Sequence, residues 1–262
     1  MQGYGSFVES QIANYLCKKH YDNLSTHWRR LVKMMIPSIE DDDIIYCENV
    51  AARIKQDIFI VARGEKKTIS IKSGKDASLH CELLDSFCTF LRHLNVSEYH
   101  IETLRLYHYG DGTIDGTGAE RDDVVTVKVK LADRIQKFNE ELNKPEYLRN
   151  ILYRFLSFGT LNQKDHVDYL YYGNLYVGGL YDMKDLIDFF TIEHTANIKG
   201  IHFGPFFYCA FYRFADKDSK GEKNRHYLTI RWFGHEIDLE KFVKYQKKIN
   251  QGSTHISSSF EL

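Results

Sequence analysis

The chain has 262 residues, 43% of them hydrophobic and 27% charged, which is enough for one large domain or two modest ones with a real core. Its 35 Lys and Arg against 36 Asp and Glu leave a formal charge of −1. Bulk charge therefore gives no pull toward nucleic acid, membrane or acidic partners, although a local basic groove would be enough for DNA. Five cysteines with no Cys-x-x-Cys pair read as reduced thiols. With no signal-peptide pattern and no apolar run of bilayer length, the expectation is a soluble cytoplasmic protein with no membrane association.

Residues Ser6 to about His20 predict a helix, with Val8, Ile12, Tyr15, Leu16 and Lys19 on one stripe. Ser6 and Glu9 have the spacing of an S-x-x-E capping box. A second helix is expected over Thr26 to Met35, stopping before Pro37. The acidic run Glu40 to Asp43 follows as a loop, then a short strand at Ile44-Ile45-Tyr46.

The segment from Gln56 to Glu82 carries the strongest pattern. Two strands joined at Gly64-Glu65 by a type II′ turn would pair Ile58 with Ile71 and Ile60 with Ile69, an all-isoleucine core face. The opposite face would set Phe59 across from Ser70 and Asp57 across from Lys72, with directly opposed Cβ atoms about 5 Å apart. A helix is expected from about Ser78 to Leu94, with Leu79, Leu83, Phe87, Phe90, Leu91 and Leu94 buried and Ser78 as N-cap. On its wheel Glu82 flanks the buried stripe, whereas Asp85 points nearly opposite.

Strands are predicted at His100 to Tyr109 and Val124 to Lys130, around a polar loop in which Asp111, Asp115 and Asp122 echo a calcium-loop spacing. Thr113 at the third position and flanking strands depart from that pattern, so a polar connection is the expected reading. Helices follow over Ala132 to Leu142 and about Tyr147 to Phe158. Beyond Pro145 the chain is rich in Tyr and Phe, with strands expected at Tyr169 to Tyr176, Ile201 to Phe214 and His226 to Phe233. A last helix is expected over Asp238 to Lys247, before a frayed serine-rich end.

Chemically, two carboxylates and a lysine are the parts of a hydrolytic Mg²⁺ site: oxygen ligands for the metal and a group to handle the attacking water. Asp57 and Glu82 can be the ligands and Lys72 the water-handling group. A surface salt bridge between Asp57 and Lys72 is the competing reading.

An acid at the start of one strand, a turn, then a residue-x-Lys on the next resembles the PD-(D/E)XK nuclease superfamily. Ser70 stands where the second acid is usual. Ser70-Ile71-Lys72 with a later glutamate looks like the subset of restriction endonucleases that take this carboxylate from the following helix. The block from Ser70 to Glu82 also resembles one in some uncharacterised restriction-like proteins. The Lys72-to-Glu82 spacing is shorter than in the best-known Ser-x-Lys enzymes. Asp85 would match that spacing but faces solvent on the wheel, so Glu82 is preferred.

The resemblance covers mainly residues 1 to 95. It implies an α/β, restriction-endonuclease-like core, a mixed central sheet flanked by helices, with an α+β aromatic-rich C-terminal part. The boundary is drawn as 1–145 for the nuclease core and 146–262 for DNA recognition. The resemblance also implies Mg²⁺-dependent cleavage of double-stranded DNA, as a type II restriction enzyme. Asp57 and Glu82 would hold the metal, Lys72 would act on the water, and Ser70 would only hydrogen-bond. Glu9 is a further candidate, because superfamily members often supply an acid from the first helix. A homodimer and a companion methyltransferase would accompany a restriction enzyme.

In the C-terminal part, Arg225, Tyr227, Thr229 and Arg231 alternate with His226, Leu228, Ile230 and Trp232. The first set has the make-up of a DNA-contacting strand face, so Arg225, Tyr227 and Arg231 are the candidate nucleic-acid contacts. Lys241, Lys244, Lys247 and Lys248 could track phosphates from the last helix. His194, His202, His226 and His235 have no zinc spacing. Two other functions remain open: a catalytically silent binding module of the same fold, and a nonspecific nuclease toxin or antiphage effector.

Overall fold

The computed structural model describes residues 4–50, 55–74, 77–118, 120–159, 166–193, 199–210 and 224–257. Residues 211–214 of the expected strand, His194 and the last five residues lie outside them.

Helix α1 spans Tyr4–Leu16 and buries Val8, Ile12 and Leu16 as predicted. Because it begins before Ser6, Ser6 and Glu9 lie inside it, and the capping-box reading is corrected. Helix α2, Thr26–Met35, has the predicted bounds, and its Ser25 N-cap hydroxyl accepts from the Trp28 amide. Strands β1 (Lys19–His20), β2 (Ile44–Asn49), β3 (Ile58–Ala62) and β4 (Glu65–Lys72) then build one side of the main sheet.

The β3–β4 hairpin turns two residues out of the predicted register. Ile58 pairs with Ile69 and Ala62 with Glu65, so the two-residue loop is Arg63-Gly64. Both have left-handed backbones, φ +51° and +78°, the type I′ geometry that matches strand twist. The Arg63 guanidinium is held by the Ser38 carbonyl at 2.7 Å and Glu40 at 3.0 Å, which offsets the strain of a non-glycine residue there. A shift of two keeps every side chain on its face, so Ile58, Ile60, Ile69 and Ile71 are all buried together.

After β4 the local reading fails once. Residues Ala77–Leu83 form strand β5, and helix α3 is confined to Leu84–His93. The predicted helix over Ser78 to Leu94 is corrected because β5 pairs along its length with β10 (Tyr227–Trp232), a partner some 150 residues away. The predicted strands at 100–109 and 124–130 are helices too: α4, Glu98–Tyr109, and α5, Val124–Lys130. Ile101, Leu104 and His108 are buried at helical spacing, and Gly110 closes α4 in the left-handed conformation. Asp123 caps α5, accepting from the Val125 and Thr126 amides, which outweighs its alternating valines.

Helices α6 (Ala132–Leu142) and α7 (Pro145–Tyr153) follow, and Arg154–Phe158 continues α7 as a π-helical turn. Then come β6 (Tyr169–Gly173), β7 (Gly178–Asp182), α8 (Met183–Ile192), β8 (His202–Phe203), β9 (Phe206–Ala210), β10 and α9 (His235–Ser257). Sequence reading had not resolved β7 and α8.

The main sheet runs β1-β2-β3-β4-β6-β7, antiparallel except at the β4–β6 joint, and a second, antiparallel sheet runs β5-β10-β9-β8. One core packs α1 and α2 on the isoleucine face of the main sheet, with Trp28 and Tyr171. The other joins its opposite face to the second sheet and to helices α3–α8 through Phe87, Phe155, Phe190, Phe203, Phe206 and Trp232. The main sheet thus draws strands from both sides of Pro145. Among the described residues no helix is long and apolar enough to cross a membrane.

Candidate active site

Asp57 sits one residue before β3, at the end of the sheet where β4 finishes. Its Oδ2 accepts from the Ser70 hydroxyl at 3.0 Å, the Ile71 amide at 2.6 Å and the Lys72 ammonium at 3.3 Å. Lys72 Nζ also donates to the Ile71 carbonyl at 3.1 Å. The hairpin register explains this cluster. The observed pairing sets Asp57 level with Ser70, so one carboxylate oxygen reaches the hydroxyl, the next amide and the lysine two residues on. Side chains of Asp57 and Lys72 keep 19% and 20% of their surface, so the pair is open to a ligand.

Glu9 approaches the same place from α1. Its half-buried carboxyl is pushed up by burial and then by the Asp57 charge, with Lys72 pulling the other way, so it lies within the field of both. Lys55, which sequence reading missed, is a second cation within the field of Asp57 and Lys72. Its ammonium donates to the Leu79 carbonyl. Burial, and then the Lys72 charge, push it down to about 7 against the pull of Asp57, Glu82 and Cys81. The signal was present as Lys55-x-Asp57, a spacing that puts two side chains on one face of extended chain.

Glu82 belongs to strand β5, not to the following helix. Its carboxylate, 1% exposed, is gripped by Arg154 through Nε–Oε1 at 2.9 Å and Nη2–Oε2 at 2.5 Å, and Oε1 also meets His80 Nε2 at 2.8 Å. Burial alone would raise its pKa, but the hydrogen bonds from Arg154 and His80 prevail and hold it down at about 2. His80 is pushed the other way, to about 4, by burial and then by the Lys55 charge, against the pull of Glu82. Arg154 opens the π turn, donates to Ser86 Oγ at 2.9 Å and covers the Phe90 ring. No local pattern marks it, since its partner is 72 residues away. Asp85 is exposed and ion-paired to Arg105.

The donors can be weighed for Mg²⁺. Such an ion takes one or two carboxylates and keeps several waters. Asp57, with its Oδ1 side free of the three donors on Oδ2, and Glu9, within electrostatic reach of it, are hard oxygen donors of that kind. Both Glu82 oxygens are already committed to Arg154 and His80. Among the described residues no three His, Cys, Asp or Glu side chains converge.

The expected DNA-facing residues are dispersed along the second sheet. Arg225 precedes β10 and packs against Asp111, at 3.7 Å, and the Tyr109 ring. Tyr227 is half-buried, and Arg231 is exposed at a bulge. Thr229, between them, is buried, and His226 is exposed in the turn before the strand, so the predicted alternation fails at those two positions, while Leu228, Ile230 and Trp232 are buried and Tyr227 and Arg231 less so. Asp111 itself accepts from Thr113 and from the Gly118 amide, and helices rather than strands flank its loop. Lys241, Lys244, Lys247 and Lys248 are exposed on α9. A groove of about 610 Å³ separates α9 from the β6–β7 hairpin, beginning at Ser73 and Gly74, directly after Lys72. Tyr172, Tyr181, Leu239 and Val243 line it, with Lys244, Lys247, Glu236 and Glu240 beside them.

The mixed central sheet flanked by helices matches the restriction-endonuclease fold, and Asp57 and Lys72 meet at the end of its interior strands β3 and β4. Among solved structures, the crystal structure of restriction endonuclease MspI in complex with its cognate DNA superposes with a TM-score of 0.54. The match covers 87% of this chain and 88% of that one at 15% sequence identity. No family model and no curated protein matches the chain.

Proposed function

We propose that this chain is a Mg²⁺-dependent endonuclease that hydrolyses phosphodiester bonds of double-stranded DNA, as a restriction enzyme does. The observation that carries this is the convergence of Ser70, Ile71 and Lys72 on one oxygen of Asp57 at the open end of the β3–β4 hairpin. Three donors fix that carboxylate and leave its other oxygen to face a metal. Glu9 is the carboxylate best set to join it, since the Glu82 oxygens are bound elsewhere. Mg²⁺, when bound, would supply positive charge to the phosphate oxygens and acidify a water. Lys72, tethered by Asp57 and the Ile71 carbonyl, would orient the attacking water and offset charge growing on the phosphate. Ser70 would hold Asp57. Glu82 with Arg154 would keep β5 and the π turn fixed behind the site. In this reading residues 1–145 carry the chemistry and residues 146–262 much of the DNA contact.

Purified protein on unmethylated phage DNA, with Mg²⁺ and with EDTA, tests this. Discrete fragments that vanish with EDTA and with Lys72→Ala are expected. No metal-dependent cutting by the wild type, or cutting that survives Lys72→Ala, sinks the proposal. A smear instead of fragments would mark a nonspecific effector. Two-fold symmetry in the target would call for a homodimer, and a restriction role for a companion methyltransferase.

The locked state of Glu82 favours one second reading, a catalytically silent DNA-binding module. Its signature is binding with a steep salt dependence and no cleavage under any divalent ion.

A further inference from the structure

The β6–β7 hairpin ends in four residues, Asn174 to Val177, and shows solvent two apolar side chains. Tyr176 is 81% exposed and Val177 66%. Single exposed apolar residues are ordinary, but the backbone of this tip is held by five hydrogen bonds. The Asn174 amide donates to the Val177 carbonyl at 2.9 Å, and Asn174 Oδ1 accepts from the Tyr176 and Val177 amides at 2.9 and 3.1 Å. From the core side, the Tyr171 hydroxyl donates to the Asn174 carbonyl at 2.5 Å and Trp28 Nε1 to the Leu175 carbonyl at 2.8 Å. Gly173, at φ +151°, permits the close turn, since a Cβ there would collide with the Val177 carbonyl. The fold thus holds the backbone rigid while leaving Tyr176 and Val177 without a protein surface to cover.

Topology says where the tip points. Strands β4 and β6 run parallel with Lys72 opposite Tyr172, and Gly173 pairs with Gly178. The tip therefore continues past Lys72 in the direction β4 was travelling. At about 3.3 Å per residue, Tyr176 lies on the order of 10 Å beyond the level of Lys72, one strand over. That is about the width of a DNA groove, roughly 12 Å for the major and 6 Å for the minor. Lys244 and Lys247 stand across the adjoining groove, with Glu236 and Glu240 beside them.

We propose that the β6–β7 tip is a base-contacting wedge for duplex DNA, with Tyr176 stacking on or entering a base step about one groove's width from the phosphate at Lys72. Val177 would flank the contact. This rests on the nuclease reading above and adds to it the residues that touch bases. Aromatic and apolar wedges at base steps supply both affinity and deformation of the duplex.

Tyr176→Trp provides the test, because Trp28 and Trp232 are buried and a new indole at 176 would dominate quenching by iodide. The probes are a labelled 30-base-pair duplex of randomised interior, in EDTA to prevent turnover, and heparin as a stackless polyanion. Duplex is expected to quench the new indole and shield it from iodide several-fold, while heparin does neither. In parallel, Tyr176→Ala should bind duplex about ten-fold more weakly by anisotropy, the factor that ~1.4 kcal/mol of base–aromatic stacking supplies, and Tyr176→Phe should bind like wild type. Duplex binding with unchanged indole emission and iodide access, and wild-type affinity in Tyr176→Ala, overturns the wedge and leaves the nuclease reading standing. Absence of duplex binding by the wild type overturns both, and anisotropy separates the two results.

Discussion

Arg154→Ala should be among the most damaging single changes in the chain, although Arg154 touches none of the hairpin residues proposed for catalysis. The substitution leaves the Glu82 carboxylate, 1% exposed, without its two strongest donors. Removing one partner of a buried pair costs about 3–5 kcal/mol. The depression of the Glu82 pKa to about 2, against burial and by Arg154 first and His80 second, has the same sign: the folded state favours the ionised carboxylate. At about 2.1 cal/mol/K per residue, 262 residues give an unfolding entropy near 0.55 kcal/mol/K, so Tm should drop by roughly 6–9 °C. The pair also sets an acid limit. A carboxyl depressed in the folded state stabilises above pH 4.5, and that stability is lost as pH falls from 4.5 toward 2. His80, depressed to about 4 from 6.5, adds an earlier loss that starts as pH drops below 6.5. The assay is urea unfolding followed by far-UV circular dichroism at pH 7 and pH 3, for wild type, Arg154→Ala and the double variant Glu82→Gln/Arg154→Met. The double variant should recover most of the loss at pH 7 and show a shallower fall between pH 4.5 and 3. A loss under 1 kcal/mol in Arg154→Ala, or equal acid slopes in wild type and double variant, would refute the reasoning.

Three other changes probe the hairpin and its neighbours. Lys72→Ala should abolish cleavage yet shift stability by no more than about 1 kcal/mol, because the Asp57–Lys72 pair is partly solvated; matched thermal melts check this. Glu9→Gln should lower cleavage at least ten-fold and weaken Mg²⁺ binding by calorimetry without changing Tm, whereas a helix-capping glutamate would show the opposite pattern. Gly64→Ala should cost about 1 kcal/mol from the left-handed backbone alone, since no atom within 4 Å of the new Cβ would clash; urea midpoints read it.

What could be read from the sequence follows the range of the forces involved. The four isoleucines of the hairpin specify their face by period two, and Pro37 bounds the end of α2, because these signals act within a few residues. The turn lies one residue earlier than expected, which shifts the register by two, because Gly64 suits either hairpin turn type. The choice fell to Arg63, whose strain is relieved by Ser38 and Glu40, contacts that no local pattern announces. Residues 78–83 have enough leucine at helical spacing to read as helix, and only pairing with Tyr227–Trp232 makes them a strand. Glu82, expected at the flank of a helix's buried stripe, is buried but on strand β5. Its partners Arg154 and His80 could not be seen, because one lies 72 residues on and the other sat on the wrong side of an assumed helix.

The parallel joint between β4 and β6 has a consequence for how the protein is made. Strand β4 ends at Lys72 and its neighbour begins at Tyr169, so about a hundred residues must be added before the edge bearing Ile69 and Ile71 acquires a partner. At roughly 5–20 residues per second, a nascent chain carries that open edge for about 5–20 s. An unpaired apolar edge is a template for pairing with other chains. During synthesis the hairpin that gathers Asp57, Ser70 and Lys72 is thus also a segment in need of shelter, and truncation anywhere before residue 169 should yield insoluble product.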